Sequence, residues 1–234
     1  MNMISTRTDF SSPVFAAWRD AAGDDWTAYI GHEFVRGIGD GSLPRASFVH
    51  YLVQDYVFLR HFARAWALAV VKANSREEMR IAALTVDALV NHELPLHVGI
   101  CAEEGISEDA LFAAEEAPEN LAYTRFVLDA GHSGDFLDLM AVLSPCVMGY
   151  GEIGTRLAAT AAADTPYRPW IDTYAGQRYQ DVCHRVGRLI ERAARDRLGS
   201  VPRETARWQH LGRQFRTATR LEAAFWQMGL RGHA

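Results

Sequence analysis

The chain has 234 residues, 49% of them hydrophobic and 23% charged, enough for one sizeable core or at most two small ones. Twenty-four Lys and Arg against 29 Asp and Glu leave a net charge of −5, which argues against a protein that grips nucleic acid through bulk positive charge. Three cysteines (Cys101, Cys146, Cys183) exclude a fully paired disulfide framework. The opening MNMISTRTDF lacks an apolar run of signal-peptide length, and no uninterrupted apolar stretch reaches about 18 residues. The expectation is a soluble, cytoplasmic protein with reduced thiols and no membrane partner.

Taken in chain order, the punctuation predicts long helices. Ser12-Pro13 opens a short one, with Pro at the first helical position, where its missing N–H costs nothing. A second runs from about Asp25 to Gly39 and ends in Gly39-Asp40-Gly41-Ser42. Pro44 starts the third, to about Ala73, along which Phe48, Tyr51, Leu52, Phe58, Leu59, Phe62 and Trp66 recur at three- and four-residue spacing. Ser75-x-x-Glu78 is a capping box for a fourth that runs towards Gly105 with a kink at Pro95. A fifth spans Pro118 to Gly131/Gly134, a sixth Asp135 to Ala163 with Pro145 inside, and a seventh Trp170 to Arg197. Pro202 begins the last, which ends near Gly229. Alternating strand patterns and internal repeats are missing. These signals predict an all-α bundle of about seven or eight helices: an N-terminal segment over residues 1–24 with a short helix, then one domain over residues 25–230.

Two acids sit where apolar residues belong. On the third helix the stripe 48, 51/52, 55, 58/59, 62 places Asp55 inward. On the last, Trp208, Leu211, Phe215 and Ala218 lead to Glu222, then Phe225. An unpaired buried carboxylate costs several kcal/mol or shifts its pKa, so two in one bundle point to a polar site; structural acids bonded to buried Arg, His or backbone are the plainer alternative. On the sixth helix Cys146 and Tyr150 share one face at i, i+4, beside a helix that Pro145 is expected to disturb. A lone inward cysteine is usually a small inert hydrophobe, which covers Cys101 and Cys183; Cys146 stands apart through its company. Tyr123 and Tyr174 are further candidates whose default role is core packing.

These residues fall into ordered segments that resemble the TenA-type thiaminase II / aminopyrimidine aminohydrolase family. The segments are Phe48-x-x-Tyr51-Leu52-x-Gln54-Asp55-Tyr56, Glu104-Gly105-Ile106-Ser107, Tyr123-Thr124, Pro145-Cys146-x-x-x-Tyr150-x-Glu152-Ile153-Gly154, Trp170-Ile171-x-x-Tyr174 and Glu222-x-x-Phe225-Trp226-x-Met228. Their order holds from about Trp26 to Gly229. The resemblance implies a haem-oxygenase-like all-α fold, a homotetramer and a pocket for a 4-amino-2-methylpyrimidine. It makes Cys146 the catalytic cysteine, Glu222 the acid at the pyrimidine and Asp55 the other pocket carboxylate. Tyr123, Tyr150 and Tyr174 match pocket tyrosines, and Phe58 and Phe225 join them as walls. Phe58 stands where many members have tyrosine and Met148 where many have tryptophan, departures that bear on substrate preference.

The chemistry this implies needs neither metal nor other cofactor. Cys146 adds to the ring as thiolate while Glu222 protonates or hydrogen-bonds a ring nitrogen; the enamine-like adduct expels ammonia, or the thiazole of thiamin, from the C5 methylene. Water then adds and the thiolate leaves. Asp55 would grip the exocyclic amine, assist proton transfer or activate the thiol. Three other readings compete. A di-iron oxidase could use Asp181-x-x-His184, Glu93-x-x-x-His97 and Glu152, although more Glu-x-x-His pairs are expected of such a site. A non-catalytic pyrimidine binder would keep the pocket alone. Arg185, Arg188, Arg192 and Arg195 form a stripe that could meet phosphate or RNA, but with 23 Arg and one Lys (Lys72) a solvated face is the simpler expectation.

Overall fold

The computed structural model describes residues 8–199 and 205–232, so the start expected at Pro202 lies outside the described residues. Among the described residues the chain is all-α, with no strand. The helices are α1 (Pro13–Ala22), α2 (Asp24–Ile30), α3 (Glu33–Asp40), α4 (Arg45–Val71), α5 (Arg76–Ala88), α6 (Leu94–Glu103), α7 (Glu108–Phe112), α8 (Pro118–Ser133), α9 (Phe136–Thr160), α10 (Arg168–Ala175), α11 (Gln177–Leu198) and α12 (Ala206–Arg231). A π-helical turn, Leu89–Glu93, joins α5 to α6.

The expected helices form, several of them in pieces. Ser12 caps α1 as its hydroxyl accepts from the Phe15 N–H at 3.0 Å. In the box at α5, the Ser75 hydroxyl accepts from the Glu78 N–H at 3.1 Å and the Glu78 carboxylate accepts from the Asn74 N–H at 2.7 Å. The expected second helix breaks into α2 and α3 at Gly31-His32, where the His32 Nδ1 accepts from the Phe34 N–H at 3.2 Å, a capping role seldom taken by histidine. The expected seventh breaks at Gly176, whose ψ of 146° is extended. The kink at Pro95 takes the form of the π turn just before it, since proline leaves a carbonyl one turn back without its donor. Helix α7 went unforeseen because it is a short helix capped by Ser107 alone, whose hydroxyl accepts from the Ala110 N–H.

Two compact units are present. Unit 1 comprises residues up to Leu43 with Ser144–Ala223; unit 2 comprises Pro44–Leu143 with Ala224 onwards. In unit 1 the ring of Phe15 meets Trp26 at 5.6 Å and Trp26 stacks on Phe215 at 5.7 Å. Fully burying such rings contributes roughly 1.5–3 kcal/mol each. Beside them lies the buried carboxylate of Glu152, which accepts from the Trp26 indole at 3.3 Å and faces Arg19 at 3.6 Å. In unit 2, α4 packs on α5, α6 and α8. Gln54 of α4 accepts from the Ala117 N–H and the Asn120 amide, each at 3.0 Å, which anchors the start of α8.

Helix α9 is long and apolar enough to cross a bilayer by length and composition, but 94% of that window is buried inside the protein, as in a core helix. The disturbance expected from Pro145 does not break it: α9 runs unbroken from Phe136 to Thr160. Packing on nearly every side holds the turn that the missing N–H weakens. In unit 1 the Tyr29 hydroxyl donates to the Pro145 carbonyl at 3.3 Å, and its ring fills the space a Cβ on Gly149 would need.

Candidate active site

Helical phasing put Asp55 and Glu222 inward, and both are buried, at 4% and 2% exposure. Cys146 is different. From Phe136 to Gly154 every residue of α9 is buried except Cys146, which is partly accessible. None of the three cysteines is bridged. Cys101 and Cys183 are fully buried, and burial pushes the Cys101 thiol up to about 11. Burial drives Cys183 up too, and its S–H donates to the Val147 carbonyl at 3.3 Å. A thiol held protonated and out of reach is a poor nucleophile, so accessibility separates Cys146 from the other two.

Around the Cys146 helix, unit 1 assembles an aromatic wall. Tyr150 lies 4.8 Å from Tyr174 edge-on, and Trp170 lies 4.6 Å from Tyr174. Gly154 makes this contact possible: a Cβ there would come within 2.5 Å of the Tyr174 backbone, so only glycine lets α10 approach α9 so closely. Tyr179, which sequence reasoning missed, extends the wall at 4.8 Å from Tyr174, and its hydroxyl donates to the Val147 carbonyl at 3.3 Å. No periodic signal marked it, because it sits in the first turn of α11 just past the Gly176 break. Glu222 belongs to the same unit, near the end of the α12 stretch that Leu211, Phe215 and Ala218 bury.

Unit 2 assembles the rest of the expected residues. Phe58 packs on Tyr123 at 5.0 Å and on Phe225 at 5.6 Å, and Tyr51 meets Phe225 at 6.1 Å. Asp55, one turn from Phe58 and Tyr51, accepts on Oδ2 from the Tyr51 hydroxyl at 3.4 Å and stands 2.7 Å from His97 Nε2. The other imidazole nitrogen, Nδ1, lies 3.0 Å from the Glu93 backbone carbonyl. Burial alone would lower the His97 pKa, but the hydrogen bond and charge of Asp55, with Glu93 behind them, outweigh it and hold it above the ordinary value. Burial pushes the Glu93 carboxyl up to about 7, against the pull of His97.

The ligand spacings weighed for iron lead elsewhere. His97 is spent on Asp55, Asp181 accepts from the Gln177 amide, and His184 Nδ1 pairs with the Ser11 hydroxyl at 2.9 Å. Glu152 is taken by Trp26 and Arg19. Among the described residues no group of three or more His, Cys, Asp or Glu side chains is placed to hold a metal ion. Arg185, Arg188, Arg192 and Arg195 all lie on the exposed face of α11, opposite the buried Cys183, Val186, Leu189 and Ile190.

Comparison with known proteins adds a lineage. The model of the TENA/THI-4/PQQC family matches residues 19–232. An aminopyrimidine aminohydrolase of Halalkalibacterium halodurans is 36% identical over 205 residues, 87% of this chain and 89% of its own length. An uncharacterized protein of Haemophilus influenzae is 38% identical over 207 residues, 88% of this chain and 93% of its own. A crystal structure described as a TenA family transcription regulator from Silicibacter sp. superposes with a TM-score of 0.93 at 55% identity, covering 96% of this chain and 99% of that one.

Proposed function

Because the chain belongs to the TENA/THI-4/PQQC family, we propose that it is an aminopyrimidine aminohydrolase of the thiaminase II type. It replaces the amine on the C5 methylene of a 4-amino-2-methylpyrimidine, or the thiazole of thiamin, with hydroxyl. Residues 25–230 are the catalytic domain, and the protein works in the cytoplasm as a homotetramer. The observation that carries the reading is the accessibility of Cys146 in a helix otherwise buried from Phe136 to Gly154.

Cys146 is the nucleophile. Its thiolate forms a bond to a ring carbon while Glu222, buried at the end of the apolar stretch of α12, delivers a proton or hydrogen bond to a ring nitrogen. The electron-rich adduct breaks the methylene C–N bond, and the leaving amine departs as ammonia after taking a proton. Water adds to the exocyclic methylene so formed, the C–S bond breaks, and aromaticity returns with the thiolate. Asp55 holds the 4-amino edge; Tyr150 and Tyr174, with Phe58, Tyr123 and Phe225, provide flat walls for a flat ring.

The test is direct. The purified chain is incubated with 4-amino-5-aminomethyl-2-methylpyrimidine and, separately, with thiamin, and hydroxymethylpyrimidine is followed. Product from either supports the reading, with faster turnover of the first. No product from either defeats it and leaves a pyrimidine-binding protein.

A further inference from the structure

The π turn decides which residue of α6 faces the core. Along α5 the inward positions are Glu78, Ile81, Ala82 and Leu89. In an uninterrupted α-helix, seven residues beyond Leu89 returns to within about 20° of the same face, whereas eight residues lands about 80° away. Leu96 would then point inward and His97 sideways. The opposite is found: Leu96 is 50% exposed and His97 is 4% exposed. The wider π turn at Leu89–Glu93 has moved the register by one residue. An apolar side chain has been turned out to solvent and an ionisable one turned in, a local loss that signals a task.

The imidazole so placed meets Asp55 of α4 at 2.7 Å. Its other nitrogen faces the Glu93 carbonyl at 3.0 Å, and a carbonyl only accepts, so Nδ1 carries a hydrogen. One further proton lies between Nε2 and Oδ2. Both protein contacts of Asp55 fall on Oδ2, from His97 and from Tyr51, and Oδ1 accepts no hydrogen bond among the described residues. We propose that His97, brought inward by the π turn, is a positioning residue that fixes Asp55 through Oδ2 and presents Oδ1, as an ionised acceptor, to the amino group of an aminopyrimidine. The role rests on the function proposed above. The raised His97 pKa agrees with the shared proton residing on the imidazole. The charged groups acting on His97 are Asp55 from α4 and Glu93 from the π turn; Glu104 and Arg45 act farther on, at Cys101.

Two measurements on the full chain test this. In a spectrum of histidine labelled with nitrogen-15 at pH 7.5, His97 of the wild-type protein should show both ring nitrogens protonated, and Asp55→Asn should return it to a singly protonated ring. In steady-state kinetics with 4-amino-5-aminomethyl-2-methylpyrimidine, His97→Gln should raise KM roughly 10- to 100-fold with a smaller fall in kcat. The double variant with Asp55→Asn should then be no worse than Asp55→Asn alone. In an active wild-type protein, an imidazolium signal that survives Asp55→Asn overturns the positioning role. So does a His97→Gln KM within twofold of wild type, or losses that multiply in the double variant. A wild-type protein that turns over no aminopyrimidine instead defeats the proposed function, and the positioning role with it. Circular dichroism checks that each variant folds, and the Asp55→Asn spectrum decides the pairing even where His97→Gln does not.

Discussion

Unit 1 and unit 2 handle their reactive groups in opposite ways. In unit 1 the thiol of Cys146 is the accessible point of a buried apolar helix, and neighbouring side chains bond the backbone carbonyls on either side of it, Tyr29 at Pro145 and Tyr179 and Cys183 at Val147. In unit 2 the carboxylate of Asp55 is buried and meets an imidazole directly, side chain to side chain. A nucleophile has to be reached, and Cys146 keeps part of its surface accessible. A buried carboxylate has to be compensated, so its surroundings grip the charged atoms themselves.

Replacing the thiol breaks the unit 1 side of this contrast most sharply. Cys146→Ser should lower kcat for hydroxymethylpyrimidine formation by at least ~10³-fold, whereas Cys101→Ser and Cys183→Ser should each stay within about threefold of wild type. Equal losses in all three would mean that accessibility does not single out the reactive thiol. Next in size, Gly154→Ala forces a Cβ against the Tyr174 backbone and should destabilise the fold by about 1–3 kcal/mol in urea unfolding. A neutral result would show that α9 and α10 can separate without loss.

The unit 2 side is tested through pH. The Glu93 carboxyl, raised from 4.5 to about 7, binds its proton more tightly in the folded state. The stability this contributes is present below pH 4.5 and is lost as the pH rises towards 7, so the charged form opposes folding at pH 8. Glu93→Gln should therefore stabilise by about 1–2 kcal/mol at pH 8 and by almost nothing at pH 4, read as a pH-dependent shift in Tm. The reverse pH dependence would mean that Glu93 is held as a carboxylate. Smallest of all, Arg188→Ala on the exposed face of α11 should move stability by less than ~0.5 kcal/mol.

Much of the fold was legible in the sequence. Prolines at helix starts, the Ser12 and Ser75 caps and the stripe of α4 are local signals, set by three- and four-residue spacing and by N–H groups that must be satisfied within a turn. The inward phase of Asp55 and Glu222 followed from the same spacing, because a regular helix carries phase along its whole length. His97 did not follow. Its phase depends on the form the Pro95 kink takes, a π turn, and a period of 3.6 counted through that turn points to Leu96 instead. Tyr179 was hidden in the same way, behind the break at Gly176.

The sequence by itself thus determined the class of fold, the helix starts and the two misplaced acids, all properties that neighbours along the chain decide. Only tertiary structure decided which partner Asp55 takes and which of three cysteines stays partly accessible. Those outcomes depend on groups far apart in the chain competing for the same buried space, and helical periodicity carries no record of that competition.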